Sequence, residues 1–204
     1  SGAVRGFLHG QWSMSEQGGR LRVASTEMPT WWFGWGTNRD SESAVTVLEE
    51  RSGGLIPVGR VGGLGRGEQV YAVRFIGDTG YVVTFRQVDP LYTIDLSDPT
   101  RPVVAGELKI PGYSAYLHPL GPDELIGVGQ DADGNGRPLG VQVSVFDVSD
   151  PRNPRRTSYH SLGRSWSEAE WNHKAFLYWP PTDLLMLPLS ASLGDPSRPS
   201  GFFT

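Results

Sequence analysis

Short runs in which apolar and polar residues alternate make up most of the chain. The clearest are QVYAVRF at 69–75, YVVTF at 81–85 and LYTID at 91–95. Alternation with a period of two residues is typical of β-strands whose two faces differ in burial. Glycine, proline and aspartate end the runs, and no stretch of helical length shows a 3.6-residue period. The pattern therefore predicts an all-β protein.

The runs recur in a fixed order along the chain. LYTIDLSDP at 91–99 returns as VSVFDVSDP at 143–151 and, more weakly, as VTVLEERSG at 45–53. Ile94 and Phe146 hold equivalent places in the first two copies. Each unit holds four short β-runs within about 40–50 residues, which is typical of a β-propeller blade. A β-sandwich with accidental internal similarity is the alternative.

The unit boundaries predict a single β-propeller domain over residues 1–204. They place blades at about 7–63, 69–111 and 113–163, with an incomplete blade at 168–204. The predicted fold is thus a partial β-propeller of about three and a half four-stranded blades. A closed propeller needs about four blades or more. We therefore expect either a piece of a longer propeller or a homo-oligomer in which copies of the chain complete a ring.

The Ser-Asp-Pro turns that end two of the repeated runs have a structural interpretation. We expect Asp98 and Asp150 to accept hydrogen bonds from nearby backbone N–H groups, as aspartate does in an Asx-turn. The preceding Asp95 and Asp147 are expected to stabilise the same turns. One structural role then accounts for every copy, and these carboxylates are not predicted to be catalytic.

Composition and charge narrow the classes of function. The 204 residues are 38% hydrophobic and 20% charged, which is ordinary for a globular domain with a sizeable core. The net charge of −4 and the lack of a concentrated basic face argue against a nucleic-acid partner. The absence of cysteine excludes disulfides, thiol catalysis and zinc–thiolate sites within these residues. No apolar run approaches the roughly 20 residues of a membrane span.

A long segment in the middle of the chain carries a family resemblance. GYVVTFRQVDPLYTIDLSDPTRPVVAGELKIPGYSAYLHP, at 80–119, resembles bacterial and archaeal secreted proteins that have a C-terminal β-propeller distantly related to WD40 repeats. VSVFDVSDP, SEAEWNHKAF, QWSMSE and RLRVAST fit the same family. The resemblance implies a protein that is secreted or associated with the cell envelope, with its signal peptide outside this chain. It implies no catalytic residue.

The segment DADGNGRPLG, at 131–140, is a candidate calcium loop. Its alternating oxygen-bearing side chains and the following Gly136 match the start of such a loop. Leu139 and Gln142 stand where further acidic ligands would be expected, so Ca²⁺ would need oxygen atoms from elsewhere. A polar hairpin between two strands is the alternative. The candidate metal ligands are Asp131, Asp133 and Asn135.

A second candidate site is the aromatic segment TWWFGWG at 30–36. Exposed aromatic rings can stack on a ligand or anchor a protein partner. Packing between blades or at an interface is the alternative interpretation. The candidate residues are Trp31, Trp32, Phe33 and Trp35.

A third candidate site lies in SEAEWNHKAF at 167–176. Carboxylates beside an imidazole can hold a metal ion or act in acid–base chemistry, so Glu168, Glu170 and His173 are candidate ligand-binding residues. If the segment enters a strand, Glu168 and Glu170 share one face while His173 points to the other. We therefore expect no joint site of all three.

These observations favour a non-enzymatic binding or scaffold module that presents loops and grooves between blades to a protein or a glycan. The alternative is a polysaccharide-active hydrolase or lyase with its site at the mouth of the propeller channel, since the same fold hosts both classes. A purely structural role is the third hypothesis. A tight cluster of acidic and histidine side chains would favour the enzyme, and a broad exposed aromatic face would favour binding.

Overall fold

The computed structural model describes residues 1–28, 41–85, 88–133, 137–191 and 201–203. Regular structure in these ranges is almost entirely β-strand, and the described helical segments are single 3₁₀ turns of three residues. None of the described helices is long and apolar enough to cross a membrane. The prediction of an all-β, partial propeller fold is confirmed.

Three four-stranded antiparallel sheets follow one another along the chain, each with its strands in sequence order. Blade one consists of β1 (Met14–Gln17), β2 (Arg20–Glu27), β3 (Glu42–Arg51) and β4 (Gly54–Leu64). Blade two consists of β5 (Gln69–Ile76), β6 (Thr79–Phe85), β7 (Val88–Asp95) and β8 (Val103–Pro111). Blade three consists of β9 (Tyr113–Pro119), β10 (Glu124–Ala132), β11 (Pro138–Asp147) and β12 (Arg155–Ser161).

The fourth sheet, blade four, is irregular. A single strand, β15, pairs with each of three shorter strands. The four strands are β13 (Ser165–Trp166), β14 (Leu177–Trp179), β15 (Leu184–Ala191) and β16 (Gly201–Phe203). The 3₁₀ turns Glu168–Glu170 and His173–Ala175 separate β13 from β14.

The expectation that Glu168 and Glu170 lie on a strand is therefore wrong. A capping box at Ser167 stabilises a 3₁₀ turn instead. The Ser167 hydroxyl accepts the Ala169 N–H at 3.2 Å, while the Glu170 carboxylate accepts the Ser167 N–H at 2.8 Å. These local bonds satisfy backbone groups that a strand would have paired with its neighbour.

Neighbouring blades pack face to face, with an apolar core between each pair. The core between blades one and two includes Ala24, Val45, Val47, Val73, Val82 and Ile94. Between blades two and three lie Tyr81, Val83, Leu91, Leu117, Leu125 and Phe146. Between blades three and four lie Tyr116, Ile126, Val128, Val141, Phe176 and Leu187. Alternation along the strands supplies these faces, and each fully buried Leu, Ile or Phe stabilises the fold by about 1.5–3 kcal/mol.

The third strand of each regular blade carries an irregularity at a corresponding place. The register with the fourth strand shifts immediately before Leu48, Ile94 and Phe146. All three side chains are almost completely buried. Because a bulge re-aims the adjacent side chain, these shifts help to direct large apolar groups into the core.

Residues 1–8, here called the N-terminal strap, lie across the free face of blade one. The Leu55 N–H donates to the Ser1 carbonyl at 2.9 Å, and the Ser25 hydroxyl donates to the Arg5 carbonyl at 2.8 Å. Phe7 and Thr26 exchange two backbone hydrogen bonds. Ser25 points away from blade two because its neighbour Ala24 lies in the core between the blades. The strap therefore covers the face that blade two leaves free.

Candidate functional site

The antiparallel topology brings two sets of chain connections to one end of the blades. Connections from second to third strands and connections from one blade to the next share this end, here called the upper face. The end of β6, the start of β9 and the end of β10 therefore lie on it. Side chains far apart in sequence meet there.

Three aromatic side chains form a contiguous cluster on the upper face, here called the aromatic rim (Tyr71, Phe85 and Tyr113). Tyr71 and Phe85 belong to blade two, and Tyr113 begins blade three. Ring centroids are 4.4 Å apart for Phe85 and Tyr113, 4.8 Å for Tyr71 and Tyr113, and 5.6 Å for Tyr71 and Phe85. These tilted and edge-to-face contacts are the favourable arrangements of aromatic pairs. All three residues are half-buried, so the rim is fixed by packing yet reaches solvent.

An open groove of about 350 Å³ adjoins the aromatic rim. This volume lies within the range of pockets that bind small molecules. Blade one contributes its edge, and Tyr71 and Phe85 form the opposite wall. The lining residues are Met28, Ser41, Gly67, Glu68, Gln69, Tyr71 and Phe85.

A larger cavity, of about 680 Å³, lies between the N-terminal strap and blade one. Three of its charged side chains pair with one another, because Arg60 Nη2 lies 3.0 Å from Glu27 Oε1 and 3.7 Å from Glu42 Oε1. Arg5 lines it as well. Its described lining residues include neither an aromatic ring nor a histidine. The groove beside the aromatic rim is therefore the better candidate for ligand recognition.

Glu170 lies half-buried between blades three and four, held by nitrogen donors. The Gln130 amide donates to both carboxylate oxygens, at 2.8 and 2.9 Å, and the Ser167 N–H donates to Oε1 at 2.8 Å. Burial raises the pKa of Glu170 above its usual value. These hydrogen bonds fix the position of the carboxylate, and both of its oxygen atoms already accept hydrogen bonds within the protein.

The Tyr113 hydroxyl remains protonated at neutral pH. Burial, with smaller contributions from the negative charge of Glu170 and from Tyr71, raises the pKa of Tyr113 to about 12. A protonated hydroxyl can donate a hydrogen bond.

The three residues predicted in segment 167–176 do not come together. Glu168 Oε1 accepts the Asn172 side-chain amide at 2.6 Å, whereas Glu170 faces Gln130 of blade three. The His173 ring lies 3.0 Å from the Gln11 amide nitrogen. Within the described ranges, no group of three or more His, Asp or Glu side chains is arranged to hold a metal ion.

The predicted calcium loop joins β10 to β11. Asp131 is buried near the end of β10, where the Tyr159 hydroxyl donates to its Oδ2 at 2.7 Å. Asp133 Oδ1 accepts the Arg137 N–H at 2.9 Å and closes the hairpin. Asn135 lies outside the described residues. The Tyr159 hydroxyl reaches Asp131 from outside the loop, but it donates a hydrogen bond to that carboxylate instead of offering a metal ligand. Calcium binding stays a prediction.

The aromatic segment predicted to bind a ligand or partner lies outside the described residues. It comprises Trp31, Trp32, Phe33 and Trp35. The strands on either side of it, β2 and β3, remain paired up to Glu27 and Glu42 at the upper face. Its role stays a prediction.

Sequence reasoning did not identify Arg74, which joins three parts of the molecule. Its guanidinium donates to the Leu117 carbonyl from Nε at 3.0 Å and from Nη2 at 2.7 Å. The same group lies 3.7 Å from the centroid of the Trp12 ring, a cation–π contact. Burial lowers the pKa of Arg74. The available signal was one arginine within the apolar run QVYAVRFI.

Blade four exposes a row of large apolar side chains, which sequence reasoning also missed. This surface, here called the tryptophan face, comprises Trp166, Trp171, Leu177 and Trp179, with exposed fractions of 49%, 66%, 47% and 52%. Leu177 and Trp179 alternate with Tyr178, which packs towards blade three. The Trp166 and Trp171 rings stack with their centroids 5.6 Å apart. The tryptophan face is therefore the side of blade four that points away from blade three.

Comparison with known proteins agrees with this architecture. Residues 1–202 match the family described as "Beta propeller domain". An uncharacterized protein of Methanocaldococcus jannaschii is 42% identical over 189 residues, which cover 92% of this chain and 28% of that protein. An uncharacterized protein of Archaeoglobus fulgidus is 42% identical over 175 residues, which cover 86% of this chain and 25% of that protein. The chain thus spans about a quarter of the length of these relatives.

A solved structure shows the same fold. The crystal structure of Sqt1 from Chaetomium thermophilum superposes with a TM-score of 0.53 at 15% identity. The match covers 83% of this chain and 37% of that one. At this level of identity the similarity concerns the fold and carries no activity with it.

Proposed function

The chain belongs to the beta propeller domain family, and from that premise we propose that it is a non-enzymatic binding or scaffold module. Its ligand would lie in the groove between blades, against the aromatic rim. The observation that carries the proposal is a cluster of three packed aromatic rings, of which Tyr71 and Phe85 line an open groove of about 350 Å³.

Rigid strands hold the aromatic rim in place. Tyr71 lies within β5, Phe85 ends β6 and Tyr113 begins β9. Each ring is packed against the other two, so little conformational entropy is lost when a ligand covers them. A preorganised apolar surface next to polar groove residues is the usual composition of a binding pocket.

The geometry supports binding over acid–base catalysis. Most glycoside hydrolases use a pair of carboxylic groups that flank the scissile bond, one to donate a proton and one to accept or attack. Both carboxylate oxygens of Glu170 accept hydrogen bonds from N–H donors. Glu168 contacts Asn172 and His173 contacts Gln11, so neither side chain is paired with Glu170. A polysaccharide-active enzyme therefore has less support than a binding module.

Array binding tests the proposal. Wild-type protein is applied to peptide and glycan arrays beside the Phe85→Ala and Tyr113→Ala variants. We expect ligands retained by the wild type to be lost by both rim variants, because each removes part of the stacking surface. Ile56→Ala, at an exposed apolar residue on blade one, serves as the control and should retain them.

The enzymatic alternative has its own readout. Every glycan retained on the array is incubated with the protein, and reducing ends are measured over time. Product release that disappears in Glu170→Gln would overturn the non-enzymatic proposal.

We also propose that the natural protein acts outside the cytoplasm. The resemblance of segment 80–119 to secreted proteins supports this. Fractionation of cells that express the natural gene checks it, and recovery only with the cytoplasm would contradict it.

A further inference from the structure

We propose that the aromatic rim is a subsite for the ring of a neutral glycan. This inference rests on the proposed binding function and names the ligand class of the same groove. Three observations carry it: the spacing of the rings, the charges beside them and the polar groups within reach.

The spacing of the rings distinguishes a platform from a cage. A cage for an ammonium group needs aromatic faces far enough apart to admit the cation between them, with each face within about 6 Å of it. Here the centroids lie only 4.4–5.6 Å apart, so the rings contact one another. Only their outward surfaces are available to a ligand. Such surfaces suit a flat, partly apolar body such as the face of a sugar ring.

The charges beside the rim disfavour an anionic ligand. Glu68 lines the groove, and the negative charge of Glu170 is close enough to affect Tyr113. Among the described lining residues there is no lysine or arginine. His9 stacks on Tyr71 with centroids 6.1 Å apart, and partial burial lowers the pKa of His9, so its ring is neutral at pH 7. Among the described residues of the groove, uronic acids and phosphates would therefore meet carboxylates and no cationic side chain.

The two carboxylates also offer little to a cation. Glu170 accepts three hydrogen bonds from neutral N–H donors. Glu68 Oε2 accepts the Thr84 hydroxyl at 2.5 Å. Both oxygens of Glu170 and one oxygen of Glu68 therefore already accept hydrogen bonds, so part of their acceptor capacity is taken up within the protein.

Polar groups at the rim match the hydroxyls of a sugar. The Tyr113 hydroxyl is a donor held protonated by its raised pKa. Gln69 lines the groove, and its side-chain amide nitrogen lies 3.5 Å from the Tyr71 hydroxyl. The Ser41 hydroxyl donates to the Glu68 carbonyl at 2.7 Å and adds an acceptor oxygen to the same groove. Neutral donors and acceptors around an apolar platform are complementary to a neutral, polyhydroxylated ring.

Three oligosaccharides of similar ring shape but different charge test the proposal. The probes are hexamers of N-acetylglucosamine (neutral), of glucosamine (cationic) and of galacturonate (anionic). Calorimetric titration of the 204-residue chain should show binding of the neutral hexamer with little dependence on salt. The anionic hexamer should bind at least about ten-fold more weakly, since like charges repel at the rim.

Rim variants locate the binding. Phe85→Ala should weaken the affinity for the neutral hexamer about ten-fold or more, which corresponds to about 1.4 kcal/mol of binding free energy. Tyr113→Phe keeps the ring and removes only the hydroxyl, so its effect should be smaller. Ile56→Ala, at an exposed residue on blade one, should leave the affinity unchanged. Unchanged melting temperatures for the variants show that a loss of binding is not a loss of fold.

The outcomes separate this inference from the proposed function. Salt-sensitive binding of only the cationic hexamer, binding of only the anionic one, or no binding of any hexamer overturns the neutral-glycan inference. If Phe85→Ala then still abolishes binding of an array peptide, the groove is a binding site and the proposed function stands. If no array ligand depends on the rim, both fail.

Discussion

Asp98 shows how one carboxylate can fix a turn. Its Oδ1 accepts the Thr100 N–H at 3.0 Å and the Thr100 hydroxyl at 2.6 Å, and its Oδ2 accepts Arg101 Nε at 2.9 Å. The Thr100 hydroxyl and then Arg101 make the largest contributions to lowering the pKa of Asp98 to about 2. The expected Asx-turn is confirmed, and Asp150 makes the same bond to the Arg152 N–H. Sequence predicted this site because the turn is local.

The lowered pKa of Asp98 predicts a pH dependence of stability. A carboxylate whose pKa is lower in the folded state contributes stability above its unfolded pKa of about 4, and that stability is lost as pH falls towards 2. Asp98→Asn should be less stable than wild type at pH 6, and the difference should shrink between pH 4 and 2. Urea unfolding at each pH measures it. Thr100→Val should show the same trend more weakly, and parallel profiles for Asp98→Asn and wild type would contradict the assignment.

Arg74 makes contacts with Leu117 and Trp12 that the sequence alone did not predict. Replacing it with methionine leaves the Leu117 carbonyl without its charged donor and removes the contact with Trp12. We expect Arg74→Met to lower the free energy of unfolding by about 1–3 kcal/mol. Arg74→Lys keeps the charge but loses the forked geometry of the guanidinium, so this variant should also have a measurably lower free energy of unfolding. Urea unfolding with unchanged stability for both variants would show that the contact is dispensable.

At the scale of elements, glycines in the fourth strands allow the next blade to approach. A Cβ at Gly59 would overlap the Pro99 carbonyl, and one at Gly106 would overlap the Pro151 carbonyl. The Thr93 hydroxyl also donates to the Pro151 carbonyl. In blades two and three, the turn after the third strand therefore rests against the fourth strand of the blade before it.

This contact predicts the effect of adding one methyl group. Gly59→Ala and Gly106→Ala should each destabilise the protein by about 1–3 kcal/mol, because backbone must shift to relieve the overlap. Gly121→Ala is the matched control, since a Cβ there has nothing within 4 Å. Urea unfolding compares the three. Equal stabilities would mean that the blades can separate slightly at no cost.

Local pattern predicted the strands well but misjudged the segment around Glu168. Alternation identified β5 to β7 because one face of each strand meets a neighbouring blade. The alternation of apolar and polar residues carries no information about backbone capping. Ser167 and Glu170 form the Ser-x-x-Glu signature of a capped turn. That signal was present in the sequence and could have corrected the strand assignment.

At the scale of the whole molecule, the two ends of the row of blades differ. The N-terminal strap covers the free face of blade one, whereas among the described residues the tryptophan face of blade four has large exposed fractions. Exposed apolar patches favour association. A contact through two tryptophan faces would be symmetric and would close as a dimer, without displacing either strap.

Light scattering across a range of concentrations tests this self-association. We expect the wild-type chain to show an apparent mass above its monomer value of 22.3 kDa. The double variant Trp166→Ser, Trp179→Ser should shift towards the monomer, because it replaces apolar area with hydroxyls. Ile56→Ser, an exposed residue on blade one, is the control and should behave as wild type. A wild-type monomer at every concentration would contradict the prediction.

The sequence by itself determined the all-β class, the four-stranded units and the Asx-turns. These depend on interactions between residues close in the chain, which periodicity and turn chemistry record. Only the tertiary structure decided the aromatic rim, the Arg74 contact and the tryptophan face. Tyr71, Phe85 and Tyr113 follow no period that marks them as neighbours, and they meet because antiparallel strands of two blades reach the same end of the molecule. The candidate binding surface therefore arises from how blades pack, a property that no single segment encodes.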